Sequence, residues 1–307
     1  MGSKTPRRFK TIAEFYHYNE IPLPEHPLVG IIDYKTIKQF REQDPVGMVF
    51  DFYAISLKRG AEKMFYGQRQ YNFEQGVMCF MAPNQVLRFQ QIQKAIDNQK
   101  PSGWILCIHP DLLWNTHLAK TMSRYEYFDY SVNEALLLSH KEEETLMGII
   151  NNIRYEFTSN IDKFSKQIII SQLESLLNYS ERFYNRQFIT SEKANHKILE
   201  SVEEILNEYF KNEELMCTGL PKVQYVADKL CVTPKYLSGL LKSMTGENTQ
   251  QLIHKKLIEK AKEKLSTTDL SVSEIAYQLG FEHLPSFSKL FKQKTNQSPL
   301  QFRTSFN

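Results

Sequence analysis

The carboxyl-terminal third of the chain repeats itself, and nothing else in the sequence limits its fold so closely. In VQYVADKLCV (223–232), Val226, Ala227 and Leu230 recur 49 residues later as Ile275, Ala276 and Leu279 of VSEIAYQLGF (272–281). Past the next turn the offset becomes 50, so the second turn is one residue longer: Leu237, Ser238, Leu240, Leu241, Lys242 and Thr245 recur as Phe287, Ser288, Leu290, Phe291, Lys292 and Thr295. Each copy reads as a helix with a small inward alanine, a tight turn and a second short helix, which is the arrangement of a helix-turn-helix. Pro234 and Pro285 sit near the start of each second helix, where the first N–H groups have no intrahelical partner. A plain helical hairpin is the alternative, and two copies in register with the same hydroxyl and lysine positions weigh against it.

Between the copies, TQQLIHKKLIEKAKEKLS (249–266) carries Leu252, Ile253, Leu257, Ala261 and Leu265 on one stripe and contains no breaker. It reads as one helix about 27 Å long at about 1.5 Å per residue. Such a rod holds two recognition helices about one DNA turn apart. Charge points the same way: residues 220–307 hold 13 Lys and Arg against 7 Asp and Glu, whereas the rest of the chain holds 25 against 28. A basic end on a mildly acidic body implies a polyanionic partner for that end.

Residues from about 195 to 307 resemble the DNA-binding domain of the AraC/XylS family of bacterial transcription regulators. VADKLCVTPKYLSGLLKSMTG resembles the first helix-turn-helix of that family, KKLIEKAKEKL the connecting helix, and IAYQLGFEHLPSFSKLFKQKTNQSPLQFR the second motif. The resemblance implies recognition helices at 233–244 and 285–294 entering successive major grooves of double-stranded DNA. Carried over position by position, base-facing residues are Lys235, Ser238 and Gly239 in the first copy and Leu284, Pro285, Ser286 and Lys289 in the second, with Lys242 and Lys292 as further DNA contacts. Two departures stand out. Gly239 occupies a position that is often long and polar in the family, and Lys256 one that is commonly arginine. Leu284 and Pro285 offer apolar contact alone, so the second copy is expected to anchor on phosphate more than to read bases.

Ahead of this lies a β-rich region. VGMVFDFYAISLKRG, EKMFYGQRQYNF, GVMCFMAPNQ, VLRFQQI and GWILCIHP, within 46–109, are short, rich in Val, Ile, Phe and Tyr, and punctuated by Gly, Pro, Asn and Gln. They imply a sandwich or small barrel, and FEQGVMCFMAPNQVLRF resembles the cupin-like amino-terminal domain of the same family. Ser139 and Glu142 form a capping box opening a helix with Leu146, Ile149, Ile150, Ile153 and Phe157 at helical spacing. A second helix is expected from Ile161 to about Arg186, with Phe164, Ile168, Leu173, Leu176, Leu177 and Phe183 on its apolar stripe. That stripe packs on the β unit or is shared with a second subunit, in which case Leu176 and Leu177 lie in a dimer contact. The polar stretch Arg186 to Asn195 is expected to separate the domains. A further helix follows, with Ile198, Leu199, Val202, Ile205, Leu206 and Tyr209 on one face.

The fold expected is therefore α+β: a cupin-like effector-binding or dimerisation domain over 1–190 with trailing helices, then an all-α domain over 195–307 with two helix-turn-helix motifs joined by a long helix. The alternatives are a cupin-type enzyme with a helical appendage and a protein-interaction adaptor that has lost DNA affinity. No nucleophile elbow, Gly-rich phosphate loop or His-x-His pair occurs, so no catalytic residue, metal site or cofactor is expected. Cys107 and His109 alternate on one strand face but are two ligands short of a site. Cys79, Cys107, Cys217 and Cys231 form no CxxC pair and read as reduced structural thiols. Tyr53, Phe65, Tyr66, Phe80, Trp104 and Trp114 either line a pocket for a small-molecule effector or are core. The partners expected are operator DNA, a second copy of the chain and, for an activator, RNA polymerase. The first thirty residues lack the apolar run of a signal peptide and no run of eighteen apolar residues occurs, so a cytoplasmic, non-membrane location is expected.

Overall fold

The stretch 47–59 forms two strands rather than one, because the chain bends at Asp51 and Phe52. The computed structural model describes residues 6–37, 47–59, 65–66, 69–70, 76–88, 102–130, 134–158, 162–190, 192–211 and 219–305. The chain divides into two units, Met1–Gln187 and Phe188–Asn307.

The first unit holds strands β1 (Arg7–Phe9), β2 (Val29–Asp33), β3 (Gly47–Phe50), β4 (Tyr53–Arg59), β5 (Phe65–Tyr66), β6 (Arg69–Gln70), β7 (Val77–Met81), β8 (Val86–Arg88), β9 (Ser102–Ile108) and β10 (Leu136–Leu137). They make a three-stranded sheet in the order β1-β3-β8, a five-stranded sheet in the order β10-β7-β4-β9-β2, and the β5–β6 ribbon. β1 runs parallel to β3, and all the other pairs are antiparallel. Neither β1 nor β2 lies in the stretch read as strands. Both are short, and pairing rather than composition makes them strands.

Helix α1 (Ile12–Tyr18) and both sheets share one aromatic core. Phe9, Phe15, Phe50 and Phe52 pack with ring centroids 5.0–6.4 Å apart beside Ile32, Ala54 and Cys107. Burial raises the Cys107 thiol far above its ordinary range, as fits a small core residue. The alternate residues Ile55, Leu57, Phe80, Trp104 and Leu106 are buried too. Strands covered on both faces lose the apolar/polar alternation, which is why Trp104–Ile108 of β9 reads as a continuous apolar run.

Three short segments follow β9: α2 (Pro110–Leu113), capped by His109, α3 (His117–Thr121) and a pair of 3₁₀ turns ending at Asp129. Then come α4 (His140–Thr158) and α5 (Ser165–Thr190). The Ser139–Glu142 capping box forms as the sequence implies, with Ser139 N–H donating to Glu142 at 2.8 Å. Glu142 is used twice. Arg186 of α5 grips it with two hydrogen bonds of 2.9 and 2.7 Å and also donates to the Leu137 carbonyl. Gln187 accepts from Leu137 N–H and donates to the Ala135 carbonyl, and Tyr184 donates to the Glu134 carbonyl. These contacts tie α5 to the β10 edge of the five-stranded sheet.

Two expectations for α5 are corrected. The helix starts at Ser165, Ile161 lies outside the described residues, and Phe164 and Ile168 are exposed rather than on the buried stripe. Leu176 and Leu177 are fully buried within their own chain. They are already occupied there, which leaves no apolar surface of theirs for a partner subunit. Leu177→Ala should therefore destabilise the folded chain by about 2–5 kcal/mol in urea unfolding, with no change in oligomeric state by light scattering.

The second unit is helical: α6 (Glu192–Lys211), α7 (Val223–Lys229), α8 (Pro234–Thr245), α9 (Thr249–Thr267), α10 (Val272–Gln278), α11 (Leu284–Thr295) and α12 (Pro299–Thr304). The Arg186–Asn195 stretch read as a polar linker is almost entirely helical, and Gln187, Phe188 and Asn195 within it are buried. Val202 and Leu206 of α6 join Val226, Ala227, Leu237, Leu241 and Ile253 in one core cluster. Leu257, Ile258, Ala261 and Leu265 of α9 join Ile275, Ala276, Leu279, Phe281, Phe287 and Phe291 in another.

The two turns close alike. Val232 N–H donates to the Ala227 carbonyl at 3.1 Å, and Phe281 N–H to the Ala276 carbonyl at 3.0 Å. Both need a left-handed residue, supplied by Cys231 (φ 55°) in the first copy and Gly280 (φ 85°) in the second. A Cβ on Gly280 would lie 2.7 Å from the backbone carbon of Gly219. Left-handed backbone costs a side-chain-bearing residue about 1–2 kcal/mol, and here a backbone clash adds to it. Urea unfolding should show Gly280→Ala losing more than about 2 kcal/mol. Cys231→Gly should be neutral or gain up to about 1 kcal/mol, relief of strain outweighing the freedom glycine adds to the unfolded chain.

Candidate nucleic-acid interface

Proline opens both second helices, and a left-handed residue closes each, Gly246 after α8 and Asn296 after α11. The repeat extends to single hydrogen bonds. Thr245 donates to the Leu241 carbonyl and Thr295 to the Phe291 carbonyl, each at 2.8 Å. It also reaches further than the 49- and 50-residue matches in the sequence indicate. Asn248 with Gln251 caps α9, and Ser298 with Gln301 caps α12, in the same capping box at an offset of 50. Each copy is thus three helices, and the third helix of the first copy is the connector α9.

On α11, Phe287 and Phe291 are buried, whereas Pro285, Ser286, Lys289 and Lys292 are exposed. These four share one side of the helix, at the spacing that puts i, i+3 and i+4 together. Leu284 does not join them: it packs, half-buried, against the aromatic core cluster. On α8, Lys235 and Lys242 are exposed and Gly239 is half-buried. Ser238 is half-buried, and its hydroxyl lies 3.1 Å from that of Thr249, itself fully buried at the start of α9. Ser238 therefore joins α8 to the connector, a role that its spacing from Lys235 did not disclose.

The lysines divide into two groups. On the connector, Lys255 pairs with Glu247 at 3.6 Å, Lys256 with Glu259 at 3.7 Å and Lys260 with Glu263 at 2.7 Å. The hydrogen bond and the charge of Lys260 hold the Glu263 carboxyl below its usual range. Lys264 donates to Gln278, and Lys262 lies over the Phe302 ring. By contrast, Lys242, Lys289 and Lys292 have no carboxylate partner among the described residues. The second helix of each repeat thus presents bare ammonium groups while the connector's charge is largely compensated.

A family described as "Helix-turn-helix domain" matches residues 226–305. The xylose operon regulatory protein of Escherichia coli (strain K12) is 32% identical over 95 residues, 31% of this chain and 24% of that protein. The carboxyl-terminal unit belongs to the AraC/XylS family. The chain is also similar to part of histidine kinase P4 of Formosa agariphila, 26% identical over 136 residues that cover 44% of this chain and 10% of the kinase. Among solved structures, the carboxyl-terminal domain of the response regulator yesN from Fusobacterium nucleatum is 32% identical and covers 34% of this chain and 95% of that one, with a TM-score of 0.30. The chain spans between a tenth and a quarter of the length of these two curated relatives.

Among the described candidate effector residues of the first unit, Tyr53 and Phe80 share a neighbour, Phe128. Phe80 packs on Tyr127, Phe128 and Tyr184, Tyr53 meets Phe128, and Trp104 is buried, whereas Trp114 is 77% exposed. The side chains of Phe65 and Tyr66, and Cys217, lie outside the described residues. Cys107 is core, and His109 spends its Nδ1 accepting from Asp111 N–H as the cap of α2. Among the described residues no group of three or more His, Cys, Asp or Glu could hold a metal ion, and no helix is long and apolar enough to cross a membrane.

Two residues of the connector escaped the sequence reading, Gln250 and His254, whose side-chain nitrogens are 2.8 Å apart. Burial first, and then the charge of Lys294 on α11, lower the His254 pKa below its ordinary 6.5. The folded chain then refuses a proton that the unfolded chain accepts, so stability is lost as pH falls through and below about 6.5. Thermal melts at pH 7.5 and 5.5 should show a smaller acid loss for His254→Gln than for the unaltered chain.

Proposed function

We propose that the chain is a sequence-specific DNA-binding transcription regulator. In this reading the AraC-type unit holds two helix-turn-helix motifs, and α8 and α11 enter successive major grooves of one duplex face. The observation that carries it is the pairing of two matched helix pairs with uncompensated lysines on the second helix of each. The regulatory role of the xylose operon protein supports it. The connector α9 has 19 residues and so is about 28 Å long, near the 34 Å or so of one DNA turn. Lys235, Gly239 and Lys242 contact DNA from the first copy and Pro285, Ser286, Lys289 and Lys292 from the second. Ser238 and Leu284 act from behind, as packing and positioning residues.

The first unit serves as a cupin-like effector-binding or dimerisation domain. The exposed apolar side chains Tyr155, Phe164 and Ile168 around α4 and α5 are its surface for a second copy. RNA polymerase is the further partner such a regulator would meet.

Selection from a random DNA pool should return a bipartite sequence with half-sites about ten base pairs apart. Lys235→Ala should relax preference at one or two base pairs, costing about 1–3 kcal/mol of discrimination. Lys292→Ala should weaken selected and random duplex alike and flatten the salt slope by about one unit. A chain that binds no duplex at low salt is an adaptor, not a DNA reader.

A further inference from the structure

The outward face of α4 has a glycine at its centre. Gly148 lies in the interior of this 19-residue helix, on the side away from the buried Leu146, Ile150, Ile153 and Phe157. It is exposed, and a Cβ built on it would meet no heavy atom within 4 Å. Glycine inside a helix is less stable there than alanine, because it adds freedom to the unfolded chain. Among the described residues nothing excludes a side chain at this position, yet the helix does without one. What such a position offers is close approach of another backbone. Around Gly148 the face carries complementary groups. Lys141 and Tyr155 stand seven residues to either side and Glu144 and Asn152 four residues to either side, spacings that share one side of a helix. All four are exposed, Tyr155 by 72%. Lys141 has no carboxylate partner among the described residues, while Glu144 lies 3.3 Å from His140 Nδ1 and Asn152 reaches Gln172 of α5 at 3.5 Å.

We infer that α4 crosses the α4 of a second copy antiparallel, with the two helices closest at Gly148. The inference rests on the reading of the first unit as a dimerisation domain and deepens it by fixing the register. A two-fold axis at Gly148 sets each residue of α4 against the residue equally far on the other side of 148. Lys141 then lies over the ring of the partner's Tyr155, a cation–π contact made twice. Glu144 accepts from the amide of the partner's Asn152, also twice. Parallel helices in register would instead set Lys141 against Lys141 and Glu144 against Glu144, so the face is complementary to itself in one direction alone. Phe164 and Ile168, exposed at the start of α5, widen the contact on the side where Asn152 and Gln172 join the two helices.

The test is sedimentation equilibrium on the full chain. Gly148→Leu should raise the dimer dissociation constant at least about tenfold, because a bulky side chain at the crossing holds the helices apart. Its melting temperature at high dilution should be no lower than that of the unaltered chain, since leucine favours helix over glycine. Lys141→Glu should also weaken the dimer, and adding Tyr155→Lys should restore it, because the exchange rebuilds an attractive pair across the antiparallel crossing. Should Gly148→Leu fail to fold, the charge exchange alone decides. A dimer unweakened by a folded Gly148→Leu or by Lys141→Glu, or a loss that Tyr155→Lys does not repair, overturns the inference while leaving dimerisation to another face. An unaltered chain that sediments as a monomer at every concentration overturns both.

Discussion

The connector α9 is the element on which the second unit depends. It contributes Ile253 to one core cluster and Leu257, Ile258, Ala261 and Leu265 to the other. The short helices α7, α8, α10 and α11 draw their stability from a packed face rather than from propensity, and α9 supplies part of that face to each pair. Sharing one rigid helix between two cores also sets the distance between α8 and α11. The Asn248 capping box and the Ser238–Thr249 contact fix where that helix starts relative to the first copy. The Ser238 hydroxyl, expected to face bases, also holds the frame.

The first unit solves a comparable problem with polar groups. Its sheets bury both faces, so an edge strand as short as β10 needs other partners for its backbone. Arg186, Gln187 and Tyr184 supply them from one helix, and the Glu142 carboxylate that completes the cap of α4 also receives Arg186. Arg186 thus spends three N–H donors on one carboxylate and one strand carbonyl, the planar fork that suits such paired acceptance. The aromatic rings of Phe9, Phe15, Phe50 and Phe52 fill the space between the sheets. Among the described residues, Trp104 lies in the core, Trp114 at the surface and His109 at the cap of α2.

Local rules made much of this legible. The prolines at helix starts, the Ser139–Glu142 box and the apolar spacing of α4 and α9 each depend on residues close together along one helix, and the repeat shows that local pattern twice. Such patterns survive in a sequence read without partners. The capping boxes of α9 and α12 were equally available, as Asn248 and Ser298 each stand three residues ahead of a glutamine at the same offset. β1 and β2 were not available, since three to five residues acquire strand character only by pairing with β3 and β9. The Arg186–Asn195 stretch does hold the division between the two units, but its polar composition hid the helical continuation, and its buried Gln187 and Asn195 are satisfied by partners far away in sequence or across a turn.

By itself, then, the sequence determined the doubled helical architecture, its turns and caps, and the inward set of Phe287, Phe291, Leu237 and Leu241. These follow from periodicity and backbone chirality, which are properties of neighbouring residues. Only the tertiary structure decided which side chains remain for a ligand. Leu284 and Ser238 look available in sequence and are consumed by the core and the connector, Leu176 and Leu177 are spent within their own unit, and Lys255, Lys256 and Lys260 are paired while Lys289 and Lys292 are bare. Whether a surface group is free depends on what the rest of the chain brings against it, and that is set by long-range packing, not by the residues on either side.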